Sequence, residues 1–214
     1  MTITPSNNVE EFTAGVDEAG RGCLAGPVVA GAVILPFDSQ ISGLTDSKKL
    51  SPSKRLLLES EIREKALCWS LGLIWPQEID RLNILQAALK AMVKAVLTLK
   101  ITPSQVLIDG NQKIPLKISQ KTIVGGDGLV PCISAASILA KTFRDRLMKS
   151  LEKKYPGYGL ARHKGYGTKD HLSALRRLGP APIHRMTFRG VRPISREKTL
   201  WLTAGRTLEN SENR

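Results

Sequence analysis

Two runs near the start of the chain, Phe12–Asp17 and Pro27–Leu35, are rich in Val and Ile and joined by a glycine-punctuated stretch. That pattern predicts two strands and a turn. Ser51-Pro52 marks a helix start, with serine as the cap and proline at the first helical position, and the helix is expected to reach about Lys65. Ala66–Ile74 then predicts a third strand. Asn83 can cap a helix to about Leu99, with Leu85, Leu89, Met92, Val96 and Leu99 recurring at helical spacing as an expected core stripe. Gln105–Ile108 is a short apolar strand ending at Asp109-Gly110-Asn111, and a strand near Thr122–Val124 ends in Gly125-Gly126-Asp127-Gly128. Cys132–Lys153 predicts a long helix with Ala136, Ala140, Phe143, Leu147 and Leu151 on its buried side. Beyond Pro156 the chain becomes Gly- and Tyr-rich, and is helical again around Asp170–Leu178. Strands first, then strands alternating with helices, predict an α/β fold: a mixed sheet flanked by helices.

Composition narrows the class. The 214 residues, 42% hydrophobic and 24% charged, suit one globular domain with a sizeable core. The longest uncharged stretch, Cys23–Phe37, is interrupted by Gly26, Pro27, Gly31 and Pro36 and is shorter than the roughly 20 residues of a spanning helix. Met1–Phe12 has no basic leader, and the three cysteines include no CxxC pair. A soluble, cytoplasmic, monomeric protein with no membrane partner is expected.

Charge adds a candidate partner. Lys and Arg number 32 against 19 Asp and Glu, and residues 141–192 hold 14 of the former and 3 of the latter. The same segment contains His163, His171 and His184 and all the tyrosines, Tyr155, Tyr158 and Tyr166. A solvated basic face is the plain alternative. Lysines that hold phosphates beside tyrosines that stack on sugars or bases favour a polyanion.

Against this basic background, Asp17-Glu18, Asp109 and Asp127 each fall just after an expected strand, beside glycine. Singly, each is an ordinary turn. Together, acids from three strand ends can meet at one edge of a sheet, where they would repel unless a cation neutralised them. Mg²⁺ favours such oxygen ligands, and two ions roughly 4 Å apart can drive phosphodiester cleavage. A carboxylate metal site beside a polyanion-binding segment points to a nuclease.

Five ordered blocks carry a resemblance. Gly15-Val16-Asp17-Glu18-Ala19-Gly20-Arg21-Gly22, continued by Leu24-Ala25-Gly26-Pro27-Val28-Val29, closely resembles the opening motif of bacterial ribonuclease HII. Asp46-Ser47-Lys48-Lys49-Leu50, Ile108-Asp109-Gly110-Asn111, Ser134–Lys141 and His163-Lys164-Gly165-Tyr166-Gly167-Thr168 agree in order. The resemblance implies an RNase H-like fold over residues 12–192, with a mixed five-stranded sheet and a helical C-terminal extension. Residues 1–11 and 193–214 would then flank the catalytic domain. Asp17, Glu18, Asp109 and Asp127 match the family's metal-binding acids, which hold two Mg²⁺ or Mn²⁺ ions. Gly20-Arg21-Gly22 matches the loop that reads the ribose 2′-hydroxyl, with glycines expected to let backbone approach the sugar. Tyr166 matches the tyrosine that stacks on the sugar at the junction with DNA.

The implied activity is cleavage of the RNA strand of RNA–DNA hybrids and nicking 5′ of ribonucleotides embedded in duplex DNA. That reaction leaves 3′-hydroxyl and 5′-phosphate ends and begins ribonucleotide removal. Lys48, Lys49, Lys141, Arg144, Lys164, His184 and Arg185 are candidate phosphate contacts, with solvated lysine an equal reading for each. Ser134 is a candidate substrate contact or a small residue in a packed helix, as is Ser137. Cys23 stands where many relatives carry proline. No recruiting protein can be named, and Leu200-Trp201-Leu202 has no assigned role.

Two rivals are weaker. Gly15–Gly20 has the glycine spacing of a phosphate loop, but Arg21-Gly22 replaces the needed Lys-[Ser/Thr]. A non-catalytic nucleic-acid binder explains the charge but gives no reason for acids after three separate strands.

Overall fold

The computed structural model describes residues 12–192, so the expected flanking segments and the Leu200–Leu202 patch lie outside the described residues. Strands β1 (Thr13–Ala19), β2 (Val28–Ile34), β3 (Cys68–Ile74), β4 (Gln105–Asp109) and β5 (Ser119–Ile123) form one sheet in the order β3-β2-β1-β4-β5. β1, β2 and β3 pair antiparallel, whereas β4 and β5 join β1 in parallel. The mixed five-stranded sheet matches the expected architecture.

Helices cover both faces. α1 (Pro52–Lys65) begins as the Ser51-Pro52 pattern dictates, with the Ser51 hydroxyl accepting from Lys54 N. With α4 (Pro131–Lys154), it packs Leu58, Ile62, Ala135, Ala136, Ile138 and Leu139 against Val33. α2 (Pro76–Leu82), which the sequence pattern did not predict, and α3 (Ile84–Leu97) cover the other face around Val16, Val28, Ala30 and Ala32. β2 is buried along its whole length, which is why it is a continuous apolar run rather than an alternating one.

The α3 stripe differs from expectation. Ala87, Ala88, Ala91 and Ala95 are buried beside Met92 and Val96, while Leu85, Leu89 and Leu99 are only partly buried. The reason lies across the interface: a Cβ on Gly72 would stand 2.0 Å from the Ala91 carbonyl oxygen, so helix and sheet approach too closely for leucines. On α4, Phe143, Leu147 and Leu151 are likewise half-buried, and Thr142, Arg144 and Met148 take the deep positions. β5 begins three residues earlier than expected because a polar edge strand carries little hydrophobic signal.

The C-terminal part contains α5 (Leu160–His163) and α6 (Lys169–Leu178), held to the sheet domain by residues 23–27. Leu24 N donates to Gly165 O at 2.8 Å, Gly26 N to Ile183 O at 2.8 Å, and Arg185 N to Leu24 O at 2.9 Å. This lattice seats the helical extension beside the end of β1. Among the described residues, no helix is long and apolar enough to cross a membrane.

Candidate active site

Strand register brings the acids together. β1 and β4 run parallel with Val16 opposite Ile108, so the next step sets Asp17 level with Asp109. Asp109 in turn pairs with Ile123, and the chain returns through a 3-10 turn, Gly126–Gly128, where Asp127 N donates to Asp109 Oδ1 at 3.4 Å. Asp17 and Glu18 were expected just after a strand. They lie inside β1, which continues through Ala19, so the pleat sends their side chains to opposite faces.

The α4 face holds Asp17, whose Oδ1 accepts from Glu18 N at 2.6 Å. Glu18 faces α3 and forms an ion pair with exposed Arg21 at 3.2 Å. It lines a cleft of about 240 Å³ with Arg21, Leu85, Leu89, Asp109 and Asn111. The two half-buried leucines of α3 therefore wall the site instead of filling the core. Lys48 reaches in from the α1 side, its Nζ 3.4 Å from Asp127 Oδ2 and 3.8 Å from Asp46 Oδ1.

The electrostatics report uncompensated negative charge. Burial to 3% exposure, and then the Glu18 charge, push the Asp17 carboxyl up to about 8, against the hydrogen bond it accepts from Glu18 N. Glu18 is raised chiefly by burial, against the pull of Arg21. Asp127 is raised by burial first, with Lys48 opposing and Asp109 adding to it. For Lys48, burial disfavours the charge, yet Asp127, Asp46 and Asp17 together hold the ammonium above its ordinary range.

Among the described residues, no three His, Cys, Asp or Glu side chains form a ready-made metal cage. The carboxylates are instead engaged by Glu18 N, Arg21 and Lys48. The donor set nevertheless suits a hard cation: four carboxylates from β1, the end of β4 and the following turn, with Asp17 and Asp127 buried and their carboxyls raised chiefly by that burial.

Beside the acids lies the Gly20-Arg21-Gly22 loop, with Tyr166 next to it through a backbone bridge between Cys23 and Tyr166. Tyr166 is 42% exposed, and Lys141 Nζ stands 5.8 Å from its ring centroid. Lys141 also pairs with Asp145 at 2.7 Å. Lys49 is exposed, and Lys164 Nζ donates to the Ala161 carbonyl. Burial lowers the Lys164 ammonium, with Lys149, Lys141 and Arg55 adding to the effect against Asp145.

Several candidate contacts belong to the scaffold. Ser134 is 2% exposed, and its hydroxyl donates to Asp127 O at 2.7 Å, so it holds the Asp127 turn rather than facing a ligand. Ser137 is buried against the Ser47 hydroxyl at 2.9 Å. Arg144, His184 and Arg185 are buried and cannot meet a phosphate as they stand. Gly20 is required by its φ of +94° and by Arg144, whose Nε would lie 2.0 Å from a Cβ there. At Gly22 a Cβ would meet nothing within 4 Å, so only open space adjoins it. The buried arginines had no distinguishing sequence signal, because their partners are backbone carbonyls far away in the chain, and His171 and His184 bond each other across 13 residues.

A family model described as ribonuclease HII matches residues 14–191. The chain is 52% identical over 213 residues to ribonuclease HII of Nitratidesulfovibrio vulgaris, covering 93% of this chain and 97% of that one. It is 50% identical over 224 residues to ribonuclease HII of Oleidesulfovibrio alaskensis, covering 89% and 85%. The structure is similar to that of ribonuclease H2 from Pyrococcus horikoshii, with a TM-score of 0.72 at 27% identity over 84% of this chain and 95% of that chain. Similarity at these levels, together with the sheet order and the acids at its edge, establishes that the chain belongs to the ribonuclease HII family.

Proposed function

We propose that this chain is a metal-dependent endoribonuclease that hydrolyses the RNA strand of RNA–DNA hybrids and nicks 5′ of single ribonucleotides embedded in duplex DNA. The observation that carries this reading is the adjacency of four carboxylates, Asp17, Glu18, Asp109 and Asp127, to the Gly20–Gly22 loop and Tyr166. Two divalent cations, Mg²⁺ or Mn²⁺, held by those carboxylates would supply an activated water and a neutralised leaving oxygen.

The chain's own groups do the rest. Lys48 and the basic segment 141–192 draw the phosphate backbone toward the acids. The Gly20–Gly22 loop meets the sugar whose 2′-hydroxyl distinguishes RNA from DNA, and Tyr166 stacks on the neighbouring deoxyribose. Water attacks the phosphorus and the 3′ oxygen leaves, so the products end in 3′-hydroxyl and 5′-phosphate with no covalent enzyme intermediate. In this role the enzyme would begin the removal of ribonucleotides from DNA.

End-labelled duplexes with an RNA strand, a single ribonucleotide, or DNA alone test the reading in Mg²⁺. Cleavage of the first two only, leaving 3′-hydroxyl ends, is expected. Equal cleavage of the all-DNA duplex would make the protein a general nuclease, and cleavage of none would leave a binding protein.

A further inference from the structure

Arg185 is fully buried, and among the described residues no carboxylate forms an ion pair with it. Its guanidinium is satisfied by backbone alone. Nη2 donates to Gly20 O at 2.7 Å and to Gly26 O at 2.9 Å, Nη1 to Arg21 O at 2.8 Å, and Nε to Gly26 O at 3.1 Å. A second buried cation, Arg144, binds the carbonyls of Pro27, Lys164 and Ala25 at 2.8–2.9 Å. Burial, and then the Arg144 charge, bring the Arg185 guanidinium down to about 10. Two like charges buried without counterions are costly, and an apolar pair would fill the space more cheaply.

What the cost accomplishes follows from peptide geometry. Every peptide bond among the described residues is trans, so the C=O and N–H of one unit point in opposite directions. The Gly20 carbonyl shares its unit with Arg21 N–H, and the Arg21 carbonyl with Gly22 N–H. Drawing both carbonyls inward onto one guanidinium turns both N–H groups away from it. Neither N–H donates to an acceptor among the described residues, and the space beside Gly22 is open. Hydrogen bonds from a cation also polarise these peptides and sharpen their N–H donors.

We propose that Arg185 is a positioning residue for ribose recognition: it fixes the Gly20–Arg21 and Arg21–Gly22 peptide planes so that two consecutive N–H groups face an acceptor oxygen on the substrate sugar. This rests on the ribonucleotide-directed activity proposed above. Arg185 touches no substrate atom and acts only through the loop.

The test measures kcat and KM for nicking a duplex with one ribonucleotide, and Kd for the same duplex in all-DNA form without divalent cation. Arg185→Lys keeps the charge but cannot span both carbonyls. Its kcat/KM should fall about tenfold or more, the scale of one or two charge-assisted bonds, while the all-DNA Kd stays within twofold. Gly22→Pro, which deletes one outward N–H on the open surface without touching the buried cation, should produce the same split. Nicking by either variant within twofold of wild type overturns the proposal. An equal loss of nicking and all-DNA binding also overturns it, since that marks a general structural role. A wild-type chain that fails to nick would instead contradict the functional reading on which the proposal stands.

Discussion

The Nε2 atoms of His171 and His184 lie 3.1 Å apart in the C-terminal part, and only one of them can carry a proton there. Ala181 N–H donates to His184 Nδ1 at 2.9 Å; the Ala181 carbonyl is 3.2 Å from the same nitrogen, but a proton there would leave His171 Nδ1 bare against the Tyr166 carbonyl, so the proton of the His184 ring is placed on Nε2. His171 must then accept at Nε2 and donate from Nδ1 to the Tyr166 carbonyl at 2.9 Å. Both rings are therefore neutral members of a chain that ends at the backbone of Tyr166.

This chain predicts acid sensitivity. Burial lowers His184 from 6.5 to about 4, and His171 is lowered by the same cause. Between those values the unfolded chain binds the proton that the folded one refuses, so stability falls as pH drops from about 6.5 to 4. For His184 the loss amounts to about 3 kcal/mol. The raised carboxyls of Asp17, Glu18 and Asp127 act in the opposite sense, so the comparison must be with His184→Gln. Denaturant unfolding at pH 7 and pH 4.5 should show a larger loss for wild type than for His184→Gln. Equal losses would remove His184 from the effect.

Asp17 makes a prediction about metal binding. With its carboxyl held up to about 8, most of it is protonated at pH 7. A bound cation requires the carboxylate, so Mg²⁺ binding should release roughly one proton per chain at pH 7. Calorimetric titrations in two buffers of different ionisation enthalpy measure the number directly. Buffer-independent heats would show that Asp17 is already ionised or is not a ligand.

Tyr166→Ala should lower kcat/KM at a lone ribonucleotide by about tenfold or more, since stacking of one base or sugar contributes roughly 1–3 kcal/mol. A hybrid with continuous RNA offers further contacts and should be affected less. Unchanged nicking at the lone ribonucleotide would deny the stacking role.

Gly15→Ala tests the packing that supports the site. Its Cβ would stand 2.2 Å from the Cys132 carbonyl carbon at the start of α4, close to the Asp127 turn. The substitution should destabilise the fold by about 1–3 kcal/mol in denaturant unfolding, despite the small gain from a stiffer unfolded chain. Unchanged stability would mean that α4 is free to shift.

β1 and β4, which carry three of the acids, and the neighbouring β2 were legible from their Val- and Ile-rich runs, and Ser51-Pro52 announced α1 by its capping chemistry. The limits arose where structure depends on partners distant in sequence. The alanines of α3 are buried because Gly72 admits the helix, a relation that no local period encodes. Among candidate site residues, those beside the strand ends were visible as acids next to glycine. Arg144 and Arg185 looked like the surrounding phosphate-facing lysines, and only their burial against carbonyls separates them from that group. Ser134 was equally ambiguous until its hydroxyl was placed on Asp127 O.

In the function proposed above, the carboxylates around the end of β1 carry out ribonucleotide-directed hydrolysis. Asp17→Asn preserves size and the hydrogen bond from Glu18 N but removes the charge. The most direct measurement compares wild type and Asp17→Asn on a duplex with one ribonucleotide in Mg²⁺, with duplex binding measured in parallel. The variant should bind the duplex as wild type does and nick it at least about a thousandfold more slowly, consistent with the loss of several kcal/mol of transition-state stabilisation. Nicking at the wild-type rate would contradict that function.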